Sequence, residues 1–443
     1  MFFNLIEESK KLISLRSISE EGTMDMVRHL LPYCRQLGFN IVLQGTSDGD
    51  PSREVNLIAY TVPEGSTDLC PHGLFLGTHL DTVPPGNPDL WTETGGNPFK
   101  ATLKKDKLYG LGSADTKLDF LCKLLAIERV GLKNIKIPLA LVGTFGEERA
   151  LAGARLLRET GILHPKFALV SEPSELQPVV AHKGILYLRA IWEAPSTLPT
   201  LSTTTKSFKG RAAHGSMPHL GENAILKAFQ WIFEEEKKKQ NLQLLKIKGG
   251  TVHNVVPESC EVSLSKGTSP CPRLRFLRVF SDFIKLAQDY LATHENKDFD
   301  PPHTSFNIGV IHGNTSRIEI EFDFRLIPET DGNTLFEIFQ GLAQEIPEAR
   351  VEVIRSNTPM ATSKNSEIVK KVKTALREVG LPVRFLSKSG NTEGAVLSEM
   401  GAEAIVIGPG RSVGNIHAPN EYNEISQLEK AVDFYAAFLK QFC

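Results

Sequence analysis

The 443-residue chain lacks any long apolar run. No stretch approaches the roughly 18 uninterrupted apolar residues of a membrane-spanning helix, so no transmembrane helix is expected. It also lacks an excess of either charge. Fifty basic residues face 52 acidic ones, for a net charge of −2. No global basic field exists to hold nucleic acid or an anionic membrane. Cysteine is sparse: six residues, at 34, 70, 122, 260, 271 and 443, with no C-x-x-C pair. In so long a chain this reads as scattered reduced thiols in a cytoplasmic protein. The N-terminal MFFNLIEESKKLISL has no basic leader and no small-residue cleavage site, and it suits an amphipathic helix better than a signal peptide.

What is present is an ordinary globular composition, 41% hydrophobic and 23% charged. That excludes a disordered chain and supplies core for two or three domains. Through the first 180 residues short apolar strands (56–62, 73–79, 138–145, 167–172) alternate with helical patterns (27–37, 117–130, 152–160). This texture predicts an α/β domain whose mainly parallel central sheet is covered on both faces. It returns after residue 332, with helices at 334–344, 366–379 and 427–442 and strands at 351–354 and 404–407. Between 185 and 328 the strands alternate in polarity, which predicts a smaller α+β domain on an antiparallel sheet. The expected organisation is residues 1–184 and 329–443 as one domain, interrupted by 185–328 as a second. Within the second, 248–264 and 307–328 read as one strand–turn–strand pattern split by an insertion at 265–303.

Acidic and imidazole groups stand at strand ends or in glycine-flanked turns, where open α/β sheets bind ligands. His79 and Asp81 close the strand 73–77; at i, i+2 they face one side, as a metal-binding imidazole and its orienting carboxylate do. A turn aspartate beside a core histidine is the plainer reading. Asp115, in LYGLGSADTK, precedes a helix, so it is equally a candidate ligand and a helix cap. Glu147 and Glu148 follow a buried strand. Extended, they point to opposite sides, so one can bind metal while the other moves protons; solvated glutamates at a helix start are the alternative. Glu172 ends the strand 167–171 and His417 sits in a glycine/proline-rich loop; each alone is ordinarily inert. Together they offer nitrogen and oxygen donors without thiolate. Such a set suits zinc, and a shared carboxylate suits two zinc ions.

THLDTVPPG, LYGLGSADTK, GTFGEERALAGARLL, SEPSELQPVVAHKG and GNIHAPNEY occur in that order. They resemble the dinuclear-zinc acetylornithine deacetylase/succinyl-diaminopimelate desuccinylase family, which also contains aminoacylases and carboxypeptidases. The likeness spans nearly the whole chain. EPSELQPVVAHKG and Thr392-Glu393-Gly394 look more like the deacetylase branch.

The resemblance implies two zinc ions, with cobalt able to substitute. His79, Asp115 and Glu172 would hold one. Asp115 would bridge to a second, held also by Glu148 and His417. Asp81 would orient His79, and Glu147 would be the general base. RAAHGSMPHLGENAI matches the family's histidine motif, so His214 would reach across a homodimer to the neighbouring site. Asn254 (HNVVP) and Arg325 (FDFRLIP) match positions near the substrate. Gly146, Thr116 and Leu118 depart from the family pattern, as does the split at 265–303. The implied activity is hydrolysis of an N-acyl amino acid, N-acetyl-L-ornithine first, in arginine biosynthesis. Desuccinylation, general acylase work and carboxypeptidase or dipeptidase activity are sibling readings. A non-catalytic binding protein on the same fold is the reading from another class.

Overall fold

A computed structural model describes residues 3–45, 53–195 and 203–443. The chain forms two compact units. One comprises Met1–Ala181, Met360–Ser387 and Thr392–Cys443; the other comprises His182–Pro359 with Lys388–Asn391.

The first unit is built on a mixed sheet. Its centre has four strands in the order Leu139–Thr144, Leu74–His79, Phe167–Val170 and Glu403–Val406, all parallel. Every residue of the first three is buried, as expected of apolar strands covered on both faces. The flanks are antiparallel. Val55–Tyr60 pairs with Leu139–Thr144 and carries Asn40–Gly45 outside it, and Val179 pairs with Val406 on the other side. The expected sheet is therefore parallel where the candidate residues lie and antiparallel at its margins. Because the central strands run one way, their carboxyl ends share one edge, and the next residues on the chain converge there.

Helices cover this sheet. Met24–Leu37 ends at Gly38, whose φ of +97° provides the left-handed stop that glycine adopts cheaply. Asp119–Val130 buries nine successive residues, Asp119 to Ile127, and packs against the helix Ile425–Leu439. A helix enclosed on every side is apolar all round except where it has a specific polar task. Asp119 and Lys123 are its two buried charges.

Among the described residues, the second unit is a seven-stranded antiparallel sheet with three α-helices. It corrects two expectations. First, 248–264 and 307–328 are not halves of one split pattern. Leu242–Gly249 and Ser259–Lys266 form one antiparallel pair, and Ser305–Gly313 and Arg317–Leu326 form another. The segment between them carries the helix Pro272–Leu291, whose Leu274, Phe276, Leu277 and Phe280 are buried in this unit's core. Second, the unit continues past residue 328. Ala349–Asn357 pairs with Gly184–Glu193 as an edge strand, and the helix Gly332–Glu345 packs beside it. Phe280, Phe322 and Phe339 meet with ring centroids 4.6–5.7 Å apart. Each such pair adds about 0.5–1.5 kcal/mol beyond buried area. The aromatic triad thus fixes both the 272–291 and the 332–345 helices to this sheet. Residues 329–359 belong here and not with the C-terminal part of the first unit.

Candidate active site

Strand ends deliver the candidate residues. His79 is the last residue of its strand and is 1% exposed. Its Nε2 lies 3.2 Å from Oδ1 of Asp115. His417 approaches the other oxygen, with Nε2 3.1 Å from Asp115 Oδ2 and 2.9 Å from Glu148 Oε1. Two donor sets result: His79, Asp115 and Glu172, and Asp115, Glu148 and His417, each with its donor atoms within 4.8 Å of one another. Asp115 belongs to both. The structure thus brings five of the expected residues together and gives Asp115 the geometry of a bridge.

Asp81 is fully buried and does more than face His79. His79 Nδ1 lies 3.1 Å from its carbonyl and 3.6 Å from its carboxylate. The same carboxylate accepts the backbone N–H groups of Glu147 (3.1 Å) and Glu148 (3.3 Å), and the Ser19 hydroxyl at 2.5 Å. Asn56 braces this turn from behind, accepting from Phe145 N and donating to Gly153 O. Gly146, one of the departures from the family pattern, has φ +60°, and a Cβ there would meet Ala152 Cβ at 3.0 Å. A glycine suits this turn.

The Asp115 loop is held from below by Glu421. Its buried carboxylate accepts three backbone N–H groups: Gly112 at 3.1 Å, Ala114 at 2.8 Å and Asp115 at 3.0 Å. Burial and the Asp115 charge push the Glu421 carboxyl up to about 7, while these three donors pull the other way. Glu421 and Ser19 had no role in the sequence reading. The signal for Glu421 was available, because it stands four residues after His417 in GNIHAPNEY. Glu393 is also buried at 1% exposure, and burial raises its carboxyl to about 7 against the pull of His79.

Electrostatics sort the carboxylates. Burial works to raise Asp115, but contacts with His417 and His79 overcome it and hold it well below the usual range. Glu147 goes the other way: burial, then the Glu172 and Glu148 charges, push it well above an ordinary glutamate. Glu148 is raised by burial, against the pull of His417. His417 is raised to about 11 by its Asp115 and Glu148 contacts. So many buried acidic groups at one strand edge oppose one another unless cations sit among them. Two imidazole nitrogens and carboxylate oxygens, with no thiolate, form a donor set that fits divalent metal such as zinc.

The other three expected residues lie in the second unit. His214 pairs across a backbone bridge with Val255, and Gly215 N donates to Asn254 O at 2.7 Å. Arg325, 7% exposed, donates to Asp323 at 2.9 Å. Asn307, on the strand Ser305–Gly313, holds the 253–255 loop by donating to His253 O and Val255 O. The His214 ring is fixed by its near neighbour. Ser216 N donates to Nδ1 at 3.1 Å, which leaves the proton of the neutral ring on Nε2. Burial, then Arg325, lowers the His214 pKa, so the neutral form prevails at pH 7.

Residues 75–441 match the Peptidase family M20/M25/M40. The chain belongs to this family. It is 27% identical to an acetylornithine deacetylase of Klebsiella pneumoniae, over 99% of this chain and 97% of that protein. Among solved structures it resembles the aminoacylhistidine dipeptidase of Vibrio alginolyticus, with TM-score 0.70, 16% identity and coverage of 99% and 96%. It also resembles a Bacillus subtilis protein described as a dinuclear metal-binding peptidase of the M20 family, with TM-score 0.55, 12% identity and coverage of 99% and 96%. This M20 chain is thus a hydrolase of a metal-dependent peptidase fold. Among the described residues, no helix is long and apolar enough to cross a membrane.

Proposed function

We propose that the chain is a two-zinc amidohydrolase that removes the acyl group from an N-acyl amino acid, N-acetyl-L-ornithine being the first candidate. The observation that carries this reading is the pair of donor sets sharing Asp115, with the raised carboxyl of Glu147 beside them. His79, Asp115 and Glu172 would hold one ion, and Asp115, Glu148 and His417 the other. When bound, such ions lower the pKa of water from about 15.7 to about 7 and polarise the amide carbonyl.

The chain's own residues supply the rest. Glu147 takes the proton of the attacking water and returns it to the leaving nitrogen, for which a raised pKa is the useful one. Asp81 holds the His79 ring and the Glu147–Glu148 backbone together. His214 donates its Nε2 proton to the tetrahedral oxyanion, from the partner subunit of a homodimer. Arg325 and Asn254 contact the substrate. A cytoplasmic place in arginine biosynthesis fits the likeness to the deacetylase and the six free thiols, five of them buried.

The test is amine release from N-acetylornithine by zinc- or cobalt-loaded protein, with N-succinyl-diaminopimelate, N-acetylmethionine and a dipeptide alongside. Strong preference for N-acetylornithine is the expected result. Turnover of another member only would keep the mechanism and move the substrate. No turnover and no bound metal would leave a binding protein on this fold.

A further inference from the structure

His79 and Glu172 each follow a residue that is tied to the other strand. Thr78 Oγ1 and Ser171 Oγ lie 3.0 Å apart, joining the ends of Leu74–His79 and Phe167–Val170. Lys123, on the helix Asp119–Val130, is directed into this junction. Its Nζ donates to Gly77 O at 2.5 Å, to Thr78 Oγ1 at 2.9 Å and to Ser171 Oγ. Asp119, one helical turn earlier, lies 3.4 Å from the ammonium and accepts from the Ser171 hydroxyl at 2.5 Å and from Tyr435 at 2.6 Å. All five side chains are 0–1% exposed.

A buried ion pair of this kind adds little net stability, since well-packed apolar residues of similar volume are often as good or better. Its presence in the otherwise apolar buried stretch Asp119–Ile127 calls for another use. Successive side chains of a strand alternate in direction. Anchoring Thr78 toward the helix therefore fixes where His79 points, and anchoring Ser171, just past its strand, fixes the backbone immediately before Glu172. Glu148 and His417 follow no such anchored pair.

We infer that Lys123, together with Asp119, is a positioning residue for one of the two metal ions, the one held by His79, Asp115 and Glu172. This rests on the metal reading above and assigns its two sites unequal dependence on the buried pair.

The experiment is zinc titration of the full-length apo-protein by calorimetry, with stoichiometry from elemental analysis. The wild type should bind two equivalents. Asp119→Asn/Lys123→Met, which removes both charges and leaves neither unpaired, should retain one equivalent and bind the other about 10- to 100-fold more weakly. In a His417→Ala background the same double change should weaken the single remaining equivalent. Ser171→Ala keeps the ion pair and should show the same one-site weakening, so the test survives if the double variant does not fold. Two equivalents at wild-type affinity in folded Ser171→Ala or in the folded double variant would overturn the inference. So would equal weakening of both. A wild type binding fewer than two equivalents would instead overturn the two-metal reading itself, and this inference with it.

Discussion

The backbone N–H of Glu147 donates to Oδ1 of Asp81 at 3.1 Å. The carboxylate that faces His79 therefore also sets the position of the candidate base. Asp81 joins two parallel strand ends, 66 residues apart in sequence, through hydrogen bonds to Glu147 N, Glu148 N and Ser19.

Asp81→Ala removes all of these contacts at once. It should lower metal affinity and also kcat at saturating metal, each by about 10- to 100-fold. Ser19→Ala removes only the hydroxyl donor and should cost far less. Metal titration and steady-state kinetics on the two variants check this. Loss of affinity with unchanged kcat would confine Asp81 to the His79 ring.

Glu147→Gln should keep both metal equivalents, because Glu147 belongs to neither donor set. It should reduce kcat by about 10²–10⁴-fold, the usual contribution of a positioned proton carrier. Elemental analysis beside kinetics separates the two effects. A variant that lost metal yet kept its turnover per bound ion would remove Glu147 from the chemistry.

His214→Ala should lower kcat by about 10²–10³-fold, with metal content unchanged. His214→Gln keeps a side-chain N–H donor and should recover part of the loss. Because the ring is held neutral, kcat should show no inflection from His214 above its lowered pKa. Equal kcat in the wild type and His214→Ala would exclude the oxyanion role.

His182 is fully buried, and burial lowers its pKa from 6.5 to about 4. As pH falls below 6.5 the unfolded chain takes up this proton and the folded chain does not. Stability should therefore drop between pH 6.5 and 4, and this contribution should be complete below pH 4. The lost stability is at most about 3 kcal/mol. In His182→Gln the drop over this window should shrink, as read from urea unfolding of apo-protein at several pH values. Parallel pH dependence in the two proteins would assign the acid lability elsewhere.

The residues of the two donor sets were legible because each ends an apolar strand or sits in a glycine-rich turn. Charge at the end of a buried run is visible without a structure. The supporting residues were less visible. Ser19 is an ordinary serine in the sequence and acquires a partner only when residues 62 positions apart meet. Asp119 and Lys123 did leave a trace, two opposite charges one turn apart in the otherwise apolar run 119–127. The end of the second unit was misplaced because Ala349–Asn357 pairs with Gly184–Glu193, far away in sequence. Nothing local marks that choice; a strand of this kind fits either sheet.

The parallel pairing of Phe167–Val170 with Glu403–Val406 also bears on how the chain is made. The ribosome finishes the first strand long before it supplies its neighbour. At about 5–20 residues per second, the nascent sheet keeps an open, apolar edge for roughly 10–50 s while the whole second unit is synthesised. Such an edge is a template for unwanted pairing with other chains. Overexpression should therefore favour inclusion bodies over native protein, and slower translation or holding chaperones should raise the soluble yield.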